Sequence, residues 1–79
     1  MTVVARAPFH VYYEGPAVSV LAANAVGQFS VLPGHADFFS MLVPGDVVVQ
    51  PPEGDPVSFT VDNGILTVRD NEADLFVNI

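Results

Sequence analysis

Cysteine, tryptophan and lysine are absent from this 79-residue chain, and its cationic side chains are Arg6 and Arg69 alone. Without cysteine there is neither a disulfide nor a thiolate zinc site to staple a small domain, so an apolar core or a partner must stabilise it. Against the two arginines stand nine acids, for a formal net charge of −7. That balance excludes nucleic-acid binding, because neutralising phosphates needs clustered Lys and Arg. With 14% charged and 51% hydrophobic residues the chain is also too apolar for an unfolded acidic tail. Long apolar runs are missing too. The longest uncharged stretch, Gly15 to Ala36, is interrupted by Pro16, Asn24, Gly27, Gln28, Pro33, Gly34 and His35, which argues against direct membrane insertion. Met1-Thr-Val-Val-Ala-Arg6 has no basic segment leading into an apolar one, so no secretory signal is read and a cytosolic home is the default.

The length suits one domain over residues 1–79. Turn formers punctuate it at Glu14-Gly15-Pro16, Asn24 to Gly27, Pro33-Gly34, Pro44-Gly45-Asp46, Pro51 to Pro56, Asn63-Gly64 and Asp70-Asn71-Glu72. They leave no room for a long helix. The intervening runs are rich in Val and Phe, so the chain reads as all-β, with candidate strands Val3–Arg6, Phe9–Tyr13, Ala17–Ala22, Gln28–Leu32, Phe38–Leu42, Val47–Gln50, Val57–Asp62, Ile65–Arg69 and Leu75–Ile79. Many short strands at regular spacing predict a sandwich or flattened barrel. In Val57-Ser-Phe-Thr-Val-Asp62, Val57, Phe59 and Val61 share one face and Ser58, Thr60 and Asp62 the other. Asn63-Gly64 follows and suits a type I′ turn, predicting that Val57–Asp62 and Ile65–Arg69 pair as a hairpin. The Pro51–Pro56 segment reads as a loop at a hairpin end, not a domain boundary.

Nothing in the sequence carries catalysis. No Ser lies in Gly-x-Ser-x-Gly, no phosphate-binding Gly-rich loop is present, and neither His10 nor His35 has a Ser and acid partner set. His35, Asp37 and remote His10 make a poor metal set. Asp70-Asn-Glu-Ala-Asp74 alternates acids as a calcium loop does but lacks its glycine and its closing glutamate, so it reads as a solvated turn. No cofactor is expected. The adjacent aromatics Tyr12-Tyr13 and Phe38-Phe39 should each send one ring away from the core, because strand neighbours alternate in direction. An outward Tyr12 or Tyr13 would suit a partner surface, where aromatics are enriched.

Three segments, taken in order and spacing, resemble one family. Gly27-Gln-Phe-Ser-Val-Leu-Pro-Gly-His-Ala36 is followed at a matching distance by Leu42-Val-Pro-Gly45, then by Phe59-Thr-Val-Asp-Asn-Gly-Ile-Leu-Thr-Val68, with a weaker match at Val18-Ser-Val20. Together they resemble the N-terminal domain of the ε subunit of the rotary F-type ATP synthase, called δ in mitochondria. The resemblance implies a two-sheet β-sandwich of about ten short strands without enzymatic activity. It implies a place in the central stalk, joining subunit γ to the loops of the c-ring and coupling proton translocation to ATP synthesis, at the cytoplasmic face of the inner (cell) membrane. The family's C-terminal helical hairpin, which inhibits hydrolysis, has no counterpart after Ile79, so the expectation is a subunit lacking the inhibitory arm, whether naturally short or a truncated piece. The alternative is a β-sandwich of the same fold recruited to another complex as a binding module.

By the same resemblance the Gly27–Ala36 segment meets the c-ring, and parity along it predicts which side chains do so. Phe29 and Val31 should face inward, leaving Gln28, Ser30 and His35 as the ring-facing surface, with Gly34 supplying a backbone angle that a β-carbon opposes. Gln28 stands where the family usually has an acid, Ser30 where Gly is common, Asp37 where Pro is common and Val43 where Lys is common, so the interface chemistry is expected to be retuned. The acidic surplus favours a partner presenting Arg or Lys.

Overall fold

A computed structural model describes all residues, 1–79. Nine strands follow one another without a helix: β1 (Thr2–Ala7), β2 (His10–Pro16), β3 (Ser19–Asn24), β4 (Gly27–Val31), β5 (Phe38–Leu42), β6 (Gly45–Gln50), β7 (Val57–Val61), β8 (Gly64–Arg69) and β9 (Glu72–Val77). They form a five-stranded sheet in the order β2-β1-β9-β8-β5 and a four-stranded sheet in the order β4-β3-β6-β7. All neighbours are antiparallel except β1 and β9, which run parallel with Val3 opposite Ala73 and Ala5 opposite Leu75. The chain is thus the two-sheet β-sandwich expected from its sequence, with nine strands, as many as the turn formers mark off.

The two inner faces supply the core. Val3, Ala5, Leu66, Leu75 and Val77 from the larger sheet meet Val20, Val31, Val49 and Val61 from the smaller, all essentially excluded from solvent. Burying a Val or Leu side chain contributes about 1.5–3 kcal/mol, which lets so short a chain hold together without a crosslink. Along β7 the burial alternates as read from sequence, with Phe59 and Val61 buried and Ser58 and Thr60 exposed. The Pro51–Pro56 loop joins β6 to β7, whose residues Val49 and Val57 face each other. Gln50 closes it, its side-chain amide donating to the carbonyls of Pro51 and Gly54 at 2.9 and 3.3 Å.

Two local expectations are overturned. The segments around Asn63-Gly64 are not a hairpin: β7 pairs with β6 in one sheet, and β8 pairs with β5 and β9 in the other. Gly64 is absent from the positive-φ residues and is buried, with a β-carbon there falling 2.7 Å from Val77 Cγ1 and 2.9 Å from the Phe76 carbonyl oxygen. Its glycine is required by close packing on β9 as the chain passes from sheet to sheet. The type I′ geometry occurs instead at Asp70-Asn71, where φ is +50° and +62° and Arg69 pairs with Glu72 across the turn. That turn brings β9 in at Glu72, three residues before the expected start at Leu75.

The second correction concerns Tyr12 and Tyr13. Both are partly buried against the core, so neither leaves it as simple alternation requires. Opposite them the register slips: Ala5 faces Tyr13, but Arg6 faces Val11. Tyr12 is the extra residue of a β-bulge, which breaks the two-residue period locally. Its ring stacks on Phe59 of the other sheet, with centroids 4.5 Å apart and planes within 9°. Tyr13 donates its hydroxyl proton to the Pro16 carbonyl. The pair Phe38-Phe39 does alternate, Phe38 partly buried and Phe39 exposed.

Candidate partner-binding surfaces

β4 forms one edge of the smaller sheet and pairs with β3 alone. Val31 is fully buried and Phe29 partly so, its ring edge-on to Phe38 at 5.7 Å, while Gln28 and Ser30 are exposed on the opposite face. The inward and outward sets thus match those read from parity. The strand ends at Val31, and every residue from Leu32 to Asp37 is exposed. Within this loop the His35 amide donates to the Leu32 carbonyl at 3.1 Å. His35 Nδ1 lies 2.7 Å from the Ala36 carbonyl oxygen and so bears a proton, and the ring leans on Phe38 with centroids 5.0 Å apart.

The four residues expected to face a ring do not form one cluster. Gly34 and His35 sit in the loop, Ser30 lies on the strand leading to it, and Gln28 is next to the Asn24–Gly27 turn at the other end of β4. From Gln28 to Val31 a strand advances roughly 10 Å. Gln28 therefore borders the Asn24 turn, whose side-chain oxygen accepts the amides of Val26 and Gly27 at 2.9 and 3.2 Å. A surface that included all four residues would run along the whole outer side of β4.

Two further groupings escaped sequence reading. The first is a reciprocal clasp between the exposed loop and the β8–β9 turn. The Gly34 amide donates to Asn71 Oδ1 at 2.9 Å, and the Asp70 amide donates to Asp37 Oδ1 at 3.0 Å. Gly34 takes φ +80° there. The aptitude of Asn for positive φ was the available signal at position 71, but nothing local names its partner.

The second is a row across the outer face of the five-stranded sheet. Successive registers place Met41 opposite Ile65, Ile65 opposite Phe76, Phe76 opposite Arg6 and Arg6 opposite Val11. Met41 is 69% and Val11 54% exposed, and the Arg6 guanidinium lies 5.7 Å from the Phe76 ring centroid. The next row holds Phe39, Thr67, Asp74, Val4 and Glu14. The first row is thus apolar apart from Arg6, whereas the second sets the acids Asp74 and Glu14 in one line with the exposed Phe39. His10 and His35 pack on different aromatics, Tyr12 and Phe38, and Asp37 is committed to Asp70, so these residues are not brought together as a metal set.

Comparison with known proteins accords with this architecture. The family described as ATP synthase, Delta/Epsilon chain, beta-sandwich domain matches residues 1–79. The ATP synthase epsilon chain of Stenotrophomonas maltophilia is 37% identical over 57 residues, which is 72% of this chain and 41% of that protein. The epsilon chain of a Nitratiruptor species is 33% identical over 70 residues, 89% of this chain and 54% of that protein. The chain thus spans about half the length of these curated relatives. A chain in the central stalk and c-ring structure of the Tetrahymena thermophila mitochondrial ATP synthase superposes with a TM-score of 0.86 over 98% of this chain and 62% of that one. At 18% identity that likeness speaks for the fold. With a match from its first residue to its last and relatives above 30% identity, the chain belongs to the delta/epsilon family of ATP synthase subunits, in the part of them that folds as a β-sandwich.

Proposed function

We propose that this chain is a non-catalytic subunit of the rotor central stalk of an F-type ATP synthase, attaching γ to the c-ring so that proton translocation and ATP synthesis stay coupled. The observation that carries the reading is the family match over all 79 residues. Two features support a two-sided adaptor. The row of Met41, Ile65, Phe76, Arg6 and Val11 is apolar apart from Arg6, with Met41 and Val11 exposed and Ile65 and Phe76 half-buried, the kind of surface a protein partner covers, and γ is its proposed occupant. The loop from Leu32 to Asp37, with Ser30 and Gln28 along β4, is proposed to meet the polar loops of the ring. Asp37, Asp70 and Glu72 at that end favour cationic side chains on the partner. Tyr12 and Tyr13 act here from within, by shaping the β2 edge beside Val11.

The reading gives this sandwich no part in a helical block on hydrolysis, which is proposed to be absent from its action. No helix is long and apolar enough to cross a membrane, and attachment is proposed to run through the peripheral complex on the cytoplasmic face of the inner membrane. Co-expression with γ and the c-ring of the same synthase tests the reading. The wild-type chain is expected to co-purify with both. Met41→Glu, which introduces charge on an exposed outer position, is expected to weaken γ binding about tenfold while leaving folding intact. A chain that binds neither γ nor the ring overturns the proposal. In the same preparation, added chain is expected to leave hydrolysis by the catalytic hexamer uninhibited.

A further inference from the structure

The Leu32–Asp37 loop is exposed throughout and has few internal ties: the His35 amide to the Leu32 carbonyl, and His35 Nδ1 to its own neighbour Ala36. Gly34, at φ +80°, sits in a region that glycine enters and leaves at little cost. Left to itself such a loop samples several shapes. Its attachments to the rest of the sandwich are the His35–Phe38 contact and the two hydrogen bonds of the clasp, and those bonds run in opposite directions. On one, Asn71 accepts the Gly34 amide. On the other, Asp37 accepts the Asp70 amide.

The residue type at position 71 exceeds what its turn requires. A type I′ turn with φ +62° is satisfied by Gly as well as by Asn. What Asn adds is the Oδ1 acceptor, and that atom is spent on Gly34, 37 residues away in sequence. The Asn71 backbone has a separate task, since its carbonyl accepts the Thr2 amide at 3.2 Å and ties the start of β1 to the turn. Side chain and backbone therefore fix different segments.

We propose that Asn71 is the positioning residue of this loop: by accepting the Gly34 amide it holds the one turn that presents His35 outward, and it sets the loop's affinity for its partner without touching that partner. The inference rests on the reading that the loop meets the c-ring. It assigns specificity at the ring-facing end to the β8–β9 turn, which is remote in sequence from the loop itself.

The test uses two substitutions that separate the hydrogen bond from the turn. Asn71→Gly keeps the positive φ and deletes the acceptor; Asn71→Asp keeps an Oδ1 acceptor and serves as the conservative rescue. Amide hydrogen exchange at Gly34 and His35 is measured on the full chain, and affinity is measured against c-ring purified from the same membranes. In Asn71→Gly, Gly34 exchange is expected to rise about fivefold while exchange in the core strands stays unchanged. Affinity for the ring is expected to fall about threefold or more, and Asn71→Asp is expected to restore both. Unaltered Gly34 exchange in Asn71→Gly overturns the positioning role. If His35→Ala weakens ring binding and Asn71→Gly does not, the positioning role also fails while the ring-facing reading stands. If neither substitution changes ring binding although Gly34 loses protection, the ring-facing reading is wrong and the inference falls with it.

Discussion

Asn63 and Asn78 are held face to face where the chain passes between its two sheets. The Asn78 amide donates to the Asn63 carbonyl at 2.8 Å, and the Ile79 amide donates to Asn63 Oδ1 at 3.0 Å. Asn78, at φ +53°, then sends its own side chain the other way. Its Oδ1 accepts the Asp62 amide at 2.8 Å, and its Nδ2 donates to the Tyr12 hydroxyl and the Thr60 carbonyl at 3.2 and 3.3 Å. One asparagine therefore stitches β9 to β7, to the crossover and to the β2 bulge.

Asn78→Ala is expected to cost about 2–3 kcal/mol, because it strands several polar groups and puts a β-branch-free but still chiral residue at positive φ. Asn78→Gly removes the side-chain bonds alone and should cost less. Urea unfolding of both variants separates the backbone share from the hydrogen-bond share.

Gly64→Ala is expected to destabilise by about 1–3 kcal/mol, since the added methyl meets Val77 and the β9 backbone, which cannot both retreat. The ordinary gain from removing a flexible glycine does not offset this. A midpoint at or above wild type in thermal unfolding contradicts the packing described for the crossover.

Tyr12→Ala should cost about 3 kcal/mol through loss of the Phe59 stack, and Tyr12→Phe about 1 kcal/mol through loss of the hydroxyl that Asn78 reaches. The measurement is equilibrium unfolding of the chain without partners. If Tyr12→Ala leaves that midpoint unchanged and only weakens partner binding, Tyr12 is an interface residue and not part of the core.

Phe29→Ala is expected to cost about 2 kcal/mol, below the usual 3–5 kcal/mol for a buried phenylalanine because Phe29 sits on an edge strand and is only partly covered. His35→Ala and Gln28→Ala should each stay within about 0.5 kcal/mol, as exposed positions do. Differential scanning calorimetry checks the order, with the Phe29 variant melting several degrees lower.

Nine strands and the facing of β4 and β7 were legible because alternation is a local property and the turn formers stand between the runs. The position of β5 was read without error from Phe38 to Leu42. Asn63-Gly64 misled because its preference for a hairpin turn is local, whereas its role is set by the close approach of Val77 from β9. Tyr12-Tyr13 misled because a bulge changes parity without leaving a mark in composition. The parallel pairing of β1 with β9 and the clasp between Gly34 and Asn71 each join residues remote in sequence, which no periodicity reports. So the outward set on β4 was readable, while its division into a loop end and a turn end, and the residue that holds the loop, were not.

The parallel β1–β9 pair also sets an order on assembly. β1 and β2 can form their hairpin as soon as they are made, but β1 reaches the rest of its sheet only through β9, since no other strand of that sheet touches it. The core valine of β1, Val3, thus waits for Ala73 to arrive beside it. Closing so long a loop before any contact offsets its entropy makes folding slow for the chain's size. During synthesis the first hairpin can cover its apolar face once β7 brings Phe59 to Tyr12, but the β1 edge stays unpaired until β9 has emerged, which makes that edge the feature on which a holding chaperone would act.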